Sequence, residues 1–147
     1  YLHTAIREKG GAYGAGALQD MNTGTFKFFS YRDPNISETF NAFGDSIKWA
    51  LKSITKEKLD EGILNVISSI DKPSSPASEA LSDFNSNKNG FTQNKRKIFR
   101  ENILATSIDK LVSVTEKYLC NKPNRSVVSN KNSEDLLHSL GFELNVI

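Results

Sequence analysis

Arg7 and Tyr13 are the residues whose types and spacing best suit chemistry on a carbonyl group. They flank a connection, Gly10-Gly11, between a helical pattern and a strand pattern. A guanidinium is always charged and offers five N–H donors in a fixed fork, and a tyrosine hydroxyl is a neutral donor. Two such donors that converge on one point polarise a carbonyl and stabilise an oxyanion. The residues alone leave a structural alternative open, in which Arg7 complements a helix C-terminus and Tyr13 packs within a strand.

Small residues dominate the segment around this pair. Residues 10–17 contain four glycines and three alanines. Such a backbone can be approached closely, so an extended peptide could lie beside it. We expect Gly10, Gly11 and Gly14 to shape this backbone and to serve as substrate-binding positions. A nucleotide-binding loop is excluded, because phosphate loops follow a strand and open a helix, whereas here a helix precedes the glycines.

The sequence contains no motif that binds a catalytic metal. Its two histidines, His3 and His138, are far apart, and neither His-x-x-Glu-His nor His-Glu-x-x-His occurs. A catalytic zinc usually takes three protein ligands. The single cysteine, Cys120, allows no internal disulfide. We therefore predict that this chain supplies no metal ligand.

A helix and a hairpin are predicted to position the two donors. Leu2 and Ile6 share one helical face, and His3 and Arg7 share the adjacent face. Residues 12–19 and 25–31 are then predicted to form a β-hairpin. They are joined by a turn at 20–24 that is rich in Asp, Asn and Gly.

Residues 32–34 are predicted to end the hairpin and to begin the next helix. Pro34 cannot continue a strand ladder and favours the start of a helix. Asp33 is expected to cap that helix, and Arg32 is expected to pair locally. These local roles explain both residues, so neither is included in the predicted site.

Helical periodicity begins at Ile36. Apolar residues recur every three or four positions as far as Ile54, and Thr55 is predicted to cap a second stretch that reaches Ile70. Residues 71–91 are expected to be a mobile surface connection with a short helix at 77–84 inside it.

The C-terminal third is predicted to mix helices and strands. Residues 92–119 form one long helix or two successive helices, with Ser107 as the internal cap. A short strand at 126–129, a short helix at 134–140 ended by Gly141, and a last strand at 142–147 complete the prediction.

Composition places the chain among ordinary globular domains. It has 147 residues, 37% hydrophobic and 24% charged, and a net charge of +2. These values exclude a disordered chain, and they give no sign of a nucleic-acid or membrane surface. We predict an α+β fold with a mixed or antiparallel sheet and several helices layered on one face. The uncapped first helix and the small sheet predict a single partial domain over residues 1–147, incomplete at its N-terminus.

Two strings in the sequence resemble one family. Residues 1–14, which contain REKGGAYG, and residues 28–34, which contain SYRDP, are similar to the C-terminal domain of pitrilysin/insulinase zinc metallopeptidases, in the presequence protease and falcilysin branch. The resemblance continues through residues 71–76 and the helix that ends at Leu119.

The resemblance implies a LuxS/MPP-like metallopeptidase domain in a large enzyme that degrades unfolded oligopeptides. It implies that Arg7 and Tyr13 hold the substrate carbonyl, and that zinc is bound by another domain of the parent enzyme. The partners would then be peptide substrates and the remaining domains, with no nucleic acid and no membrane. By family analogy, the compartment would be a mitochondrion, a plastid or a vacuole.

Two other functions stay open at this point. One is a non-catalytic structural or peptide-binding subunit of the same superfamily, against which the donor pair argues. The other is an unrelated small binding module, against which the uncapped helix argues. We expect the isolated chain to be inactive as a peptidase and to self-associate through unpaired strand edges.

Overall fold

The computed structural model describes residues 1–20 and 23–145. Its first element is a π-helix, His3–Lys9, whose wider turn differs from the predicted α-helix. Ile6 is its one buried residue and is only 1% exposed. The helix ends where the Arg7 carbonyl accepts the backbone N–H groups of Gly10 and Gly11.

The predicted β-hairpin is confirmed. Strand β1, Gly14–Asp20, pairs antiparallel with β2, Thr25–Tyr31, from Gly14 opposite Tyr31 to Asp20 opposite Thr25. Two residues of the predicted turn, 21 and 22, lie outside the described residues.

In the part of the chain that the structure describes, six α-helices follow the hairpin, the last preceded by a 3₁₀ turn at Lys131–Ser133. They are α1 Ile36–Lys52, α2 Lys56–Ile70, α3 Pro76–Lys88, α4 Gln93–Leu104, α5 Ile108–Leu119 and α6 Glu134–Ser139. The 92–119 region is therefore two successive helices.

Hydroxyl side chains begin four of these helices. Thr55, Ser75, Thr92 and Ser107 each accept the backbone N–H three residues later, at 3.2–3.4 Å. Such a cap satisfies a donor that the helix itself leaves unpaired. The predicted caps at Thr55 and Ser107 are confirmed.

One face of the hairpin packs against α1. The Phe28 ring stacks on Phe43 of α1 with 5.3 Å between centroids, and Phe26 meets Phe28 edge-on. Helix α1 also contacts α5 and the opening helix, where Tyr1 stacks on Trp49, and α2 packs against α4. The arrangement confirms the α+β class.

The predicted C-terminal strands are wrong as far as the structure describes them. Residues 126–129 and 142–145 form no strand, and residues 146 and 147 lie outside the described part. A strand needs a hydrogen-bonded neighbour, and Val128 is instead 89% exposed. Phe142 packs against Phe40. The sheet of the described residues has two strands.

The 71–91 connection contains more helix than predicted. Helix α3 covers Pro76–Lys88 rather than 77–84, although Asn85–Lys88 has loop-like composition. Its Ser75 cap and Pro76 in the first turn favour helix initiation. No α3 residue is buried. No described helix is long and apolar enough to cross a membrane.

Candidate functional site

Arg7 lies on the last turn of the opening π-helix and is exposed. Its Nη1 lies 3.3 Å from Nε2 of His3, and Nδ1 of His3 lies 3.3 Å from Oε1 of Glu8. A guanidinium can only donate, so His3 accepts at Nε2. The imidazole ring therefore lies between the Arg7 guanidinium and the Glu8 carboxylate and contacts both.

Gly10 and Gly11 turn the chain from the helix into β1, and each needs to be glycine for a different reason. A Cβ on Gly10 would lie 2.6 Å from the Ile6 carbonyl oxygen. Gly11 has φ +76°, which L side chains rarely adopt. The Gly10 carbonyl also accepts the side-chain N–H of Asn35 at 2.6 Å, so the turn is tied to the start of α1.

Tyr13 follows the turn and is 66% exposed. Its backbone N–H donates to the Arg32 carbonyl at 3.3 Å, which extends the hairpin pairing by one step. Its ring meets the Tyr31 ring edge-on at 5.9 Å. Gly14, the next residue, has open space where a Cβ would be, so one side of this backbone is accessible.

At the end of the hairpin, Arg32 and Asp33 make contacts that differ from those predicted. The Asp33 carboxylate accepts the Asn35 backbone N–H at 2.9 Å and the Thr39 hydroxyl at 2.5 Å. It therefore supports the start of α1, although the N-cap position itself is Asn35. The guanidinium of Arg32 lies over the rings of Tyr13 and Tyr31.

The structure places Arg7 and Tyr13 at the two ends of one short turn. Within the described residues, the hydrogen bonds and ring contacts join Arg7 to His3 and Tyr13 to Tyr31 and Arg32, and none joins Arg7 to Tyr13. Each donor is thus held separately and faces solvent. Sequence reasoning left Arg32 out of the site because an expected local pairing explained it, and the residue string carries no signal for its left-handed backbone.

Metal binding at His3 would have to displace protein contacts. Both ring nitrogens of His3 have protein partners, and one partner is the Arg7 cation. Within residues 1–20 and 23–145, no group of three or more His, Cys, Asp and Glu residues is arranged to hold a metal ion.

Comparison with known proteins identifies the family. The profile of the PreP C-terminal domain matches residues 1–130. The chain belongs to the PreP C-terminal domain family. The match includes the Arg7–Tyr13 turn and the hairpin that follows it.

Mitochondrial presequence proteases of several organisms are similar to this PreP C-terminal domain. The mouse protein is 42% identical over 120 residues, which cover 81% of this chain and 11% of that protein. The Candida albicans protein is 40% identical over 127 residues, 86% of this chain and 12% of that protein. The Saccharomyces cerevisiae protein is 38% identical over 130 residues, 87% of this chain and 13% of that protein. The chain therefore spans about an eighth of the length of these relatives.

Proposed function

We propose that this chain is the C-terminal part of a zinc metallopeptidase that degrades unfolded oligopeptides. In this proposal the chain supplies the substrate-binding and oxyanion-stabilising residues, and zinc is bound by another domain of the full-length enzyme. The relatives named as mitochondrial presequence proteases support both the activity and a mitochondrial location. The chain alone is proposed to be inactive, because its sequence contains neither His-x-x-Glu-His nor His-Glu-x-x-His.

The observation that carries this proposal is the pair of exposed donors at the two ends of the Gly10-Gly11 turn. Tyr13 offers a hydroxyl donor and Arg7 a charged guanidinium, and both belong to a protease family's domain. In the proposal, the two donors bind the carbonyl oxygen of the peptide bond that is cleaved. Their hydrogen bonds strengthen as negative charge develops on that oxygen.

The glycines are proposed to receive the substrate backbone next to these donors. Gly14 has open space around its Cβ position, and Gly10 and Gly11 hold the turn that sets the distance between Arg7 and Tyr13. An extended peptide beside Gly14 would place one carbonyl near the Tyr13 hydroxyl.

Tyr13→Phe in the full-length enzyme tests this proposal. Loss of one oxyanion donor should lower kcat by about 10²–10³-fold with little change in KM, because the contact strengthens in the transition state. Zinc content and thermal stability should stay near wild type, since the ring is kept. Tyr31→Phe is the matched control: it removes a neighbouring exposed hydroxyl and should leave kcat within about twofold of wild type. Turnover of Tyr13→Phe within about threefold of wild type would remove Tyr13 from the site and favour a structural role.

A further inference from the structure

Arg32 ends β2 in an unusual backbone conformation. Within residues 1–20 and 23–145 it is the one non-glycine residue with a positive φ, 48°. The left-handed region is disfavoured for residues with a Cβ, and Gly or Asn usually occupies it. Strained positions of this kind persist where the surroundings hold them in place, and they cluster at functional sites.

This backbone turn brings the Arg32 side chain onto the aromatic rings. Successive residues of a regular strand point to opposite faces, so a regular residue 32 would point away from Tyr31. Instead, the guanidinium carbon lies 5.4 Å from the centre of the Tyr31 ring and 5.8 Å from that of Tyr13. Both distances fall within the range of cation–π attraction.

Among the described residues, no carboxylate forms an ion pair with the Arg32 guanidinium. The neighbouring Asp33 carboxylate is hydrogen-bonded to Asn35 and Thr39. The charge of Arg32 is therefore directed at Tyr13 and Tyr31.

We propose that Arg32 is a positioning residue for Tyr13. Its carbonyl fixes the Tyr13 backbone through the N–H bond at 3.3 Å, and its guanidinium fixes the ring that carries the hydroxyl. A side chain that is 66% exposed has few other contacts to hold it. A donor to a developing oxyanion must already point correctly before the reaction. The inference rests on the proposed role of Tyr13 as that donor.

A double-mutant cycle in the full-length enzyme tests the inference, with Arg32→Gln, Tyr13→Phe and the double variant. Arg32→Gln should lower kcat about 10- to 100-fold with KM within about twofold, because the hydroxyl loses its direction. In the Tyr13→Phe background the same substitution should lower kcat by less than about twofold, since no hydroxyl remains to be positioned. Arg32→Lys, which keeps the cation, should recover part of the loss.

The variant Arg32→Gly distinguishes an effect on the position of Tyr13 from an effect on the stability of the fold. Glycine adopts a positive φ without strain, so this variant should unfold at the wild-type temperature or above it. Its kcat should nevertheless fall as far as that of Arg32→Gln.

The outcomes distinguish the inference from the function on which it rests. Equal losses from Arg32→Gln in both backgrounds, or an unchanged kcat, overturn positioning by Arg32 and leave the role of Tyr13 intact. A normal kcat for Tyr13→Phe alone overturns the proposed function and the inference with it.

Discussion

Nη1 of Arg7 lies 3.3 Å from Nε2 of His3, four residues earlier on the same helix. Glu8 contacts the other nitrogen of that ring. The direction of the Arg7 guanidinium is therefore set by residues of its own helix rather than by Tyr13. This local support lets the helix present a cation at the turn that leads into β1.

Arg7→Lys in the full-length enzyme should lower kcat/KM by about 10- to 100-fold. An ammonium cannot reproduce the planar fork that contacts His3 and still leaves donors for a carbonyl oxygen. His3→Gln is the matched control, because a glutamine oxygen can still accept from Arg7, and it should cost less than about fivefold. Steady-state kinetics with metal content checked measure both. An Arg7→Lys enzyme as active as His3→Gln would contradict the role assigned to Arg7.

Gly10→Ala and Gly14→Ala should separate a structural glycine from a substrate-facing one. A Cβ on Gly10 would lie 2.6 Å from a backbone oxygen, so we expect a loss of about 1–3 kcal/mol in the free energy of unfolding. Gly14 has open space, and alanine there should leave stability unchanged or raise it by about 0.5 kcal/mol.

The activities of the two variants complete that comparison. If a peptide lies beside Gly14, Gly14→Ala should raise KM in the full-length enzyme without a loss of stability. Denaturant unfolding and peptide kinetics together measure this. An unchanged KM for Gly14→Ala would show that no substrate backbone comes near this residue.

The ion pair between Asp71 and Arg100 should make stability depend on pH at the acid end. The hydrogen bond from Arg100 holds the pKa of Asp71 below its ordinary value of 3.8, and the charges of Arg100 and Arg96 act in the same direction. A carboxyl whose pKa is lower in the folded state contributes stability above its unfolded pKa. It loses that contribution as pH falls through the folded value.

Asp71→Asn tests this link between the end of α2 and α4. The variant should be less stable than wild type at pH 5–7, and the difference should shrink below about pH 4. It should also shrink at about 1 M salt, because both partners are exposed. Urea unfolding across this pH range measures the difference, and a constant difference from pH 7 to pH 2 would rule out the ion pair as its cause.

The features that could be predicted from the sequence are those whose causes are local. The hairpin follows from strand formers around a turn, and the caps at Thr55 and Ser107 follow from one hydroxyl and one N–H three residues on. The strand predicted at 126–129 failed because two adjacent valines favour an extended chain but cannot supply a pairing partner. The left-handed backbone of Arg32 and its contacts with Tyr13 and Tyr31 could not be predicted, because no pattern in the chain indicates a positive φ at a non-glycine residue.

The chain exposes more surface than a compact monomer of its mass. Its accessible area is 11,240 Å². A compact monomer of 16.3 kDa is expected to expose about 7,500 Å². The surplus of about 3,700 Å² is larger than the total area that a standard stable interface buries, roughly 1,200–2,000 Å². Several large apolar side chains are exposed on the hairpin and on α3, namely Leu18, Phe29, Tyr31, Leu81 and Phe84.

We therefore expect the isolated chain to self-associate. Leu18 lies on the hairpin face opposite the one that packs on α1, and its cross-strand partner is Lys27. Leu18→Glu places a carboxylate opposite that ammonium, so the variant should keep the hairpin while it reduces association. Leu81→Glu on α3 is the matched control and should leave association unchanged if copies pair through the hairpin. Light scattering between about 10 µM and 1 mM measures both variants, on the scale where weak pairs form. A monomeric wild-type chain over this whole range would contradict the prediction, and equal effects of the two substitutions would rule out the hairpin as the contact surface.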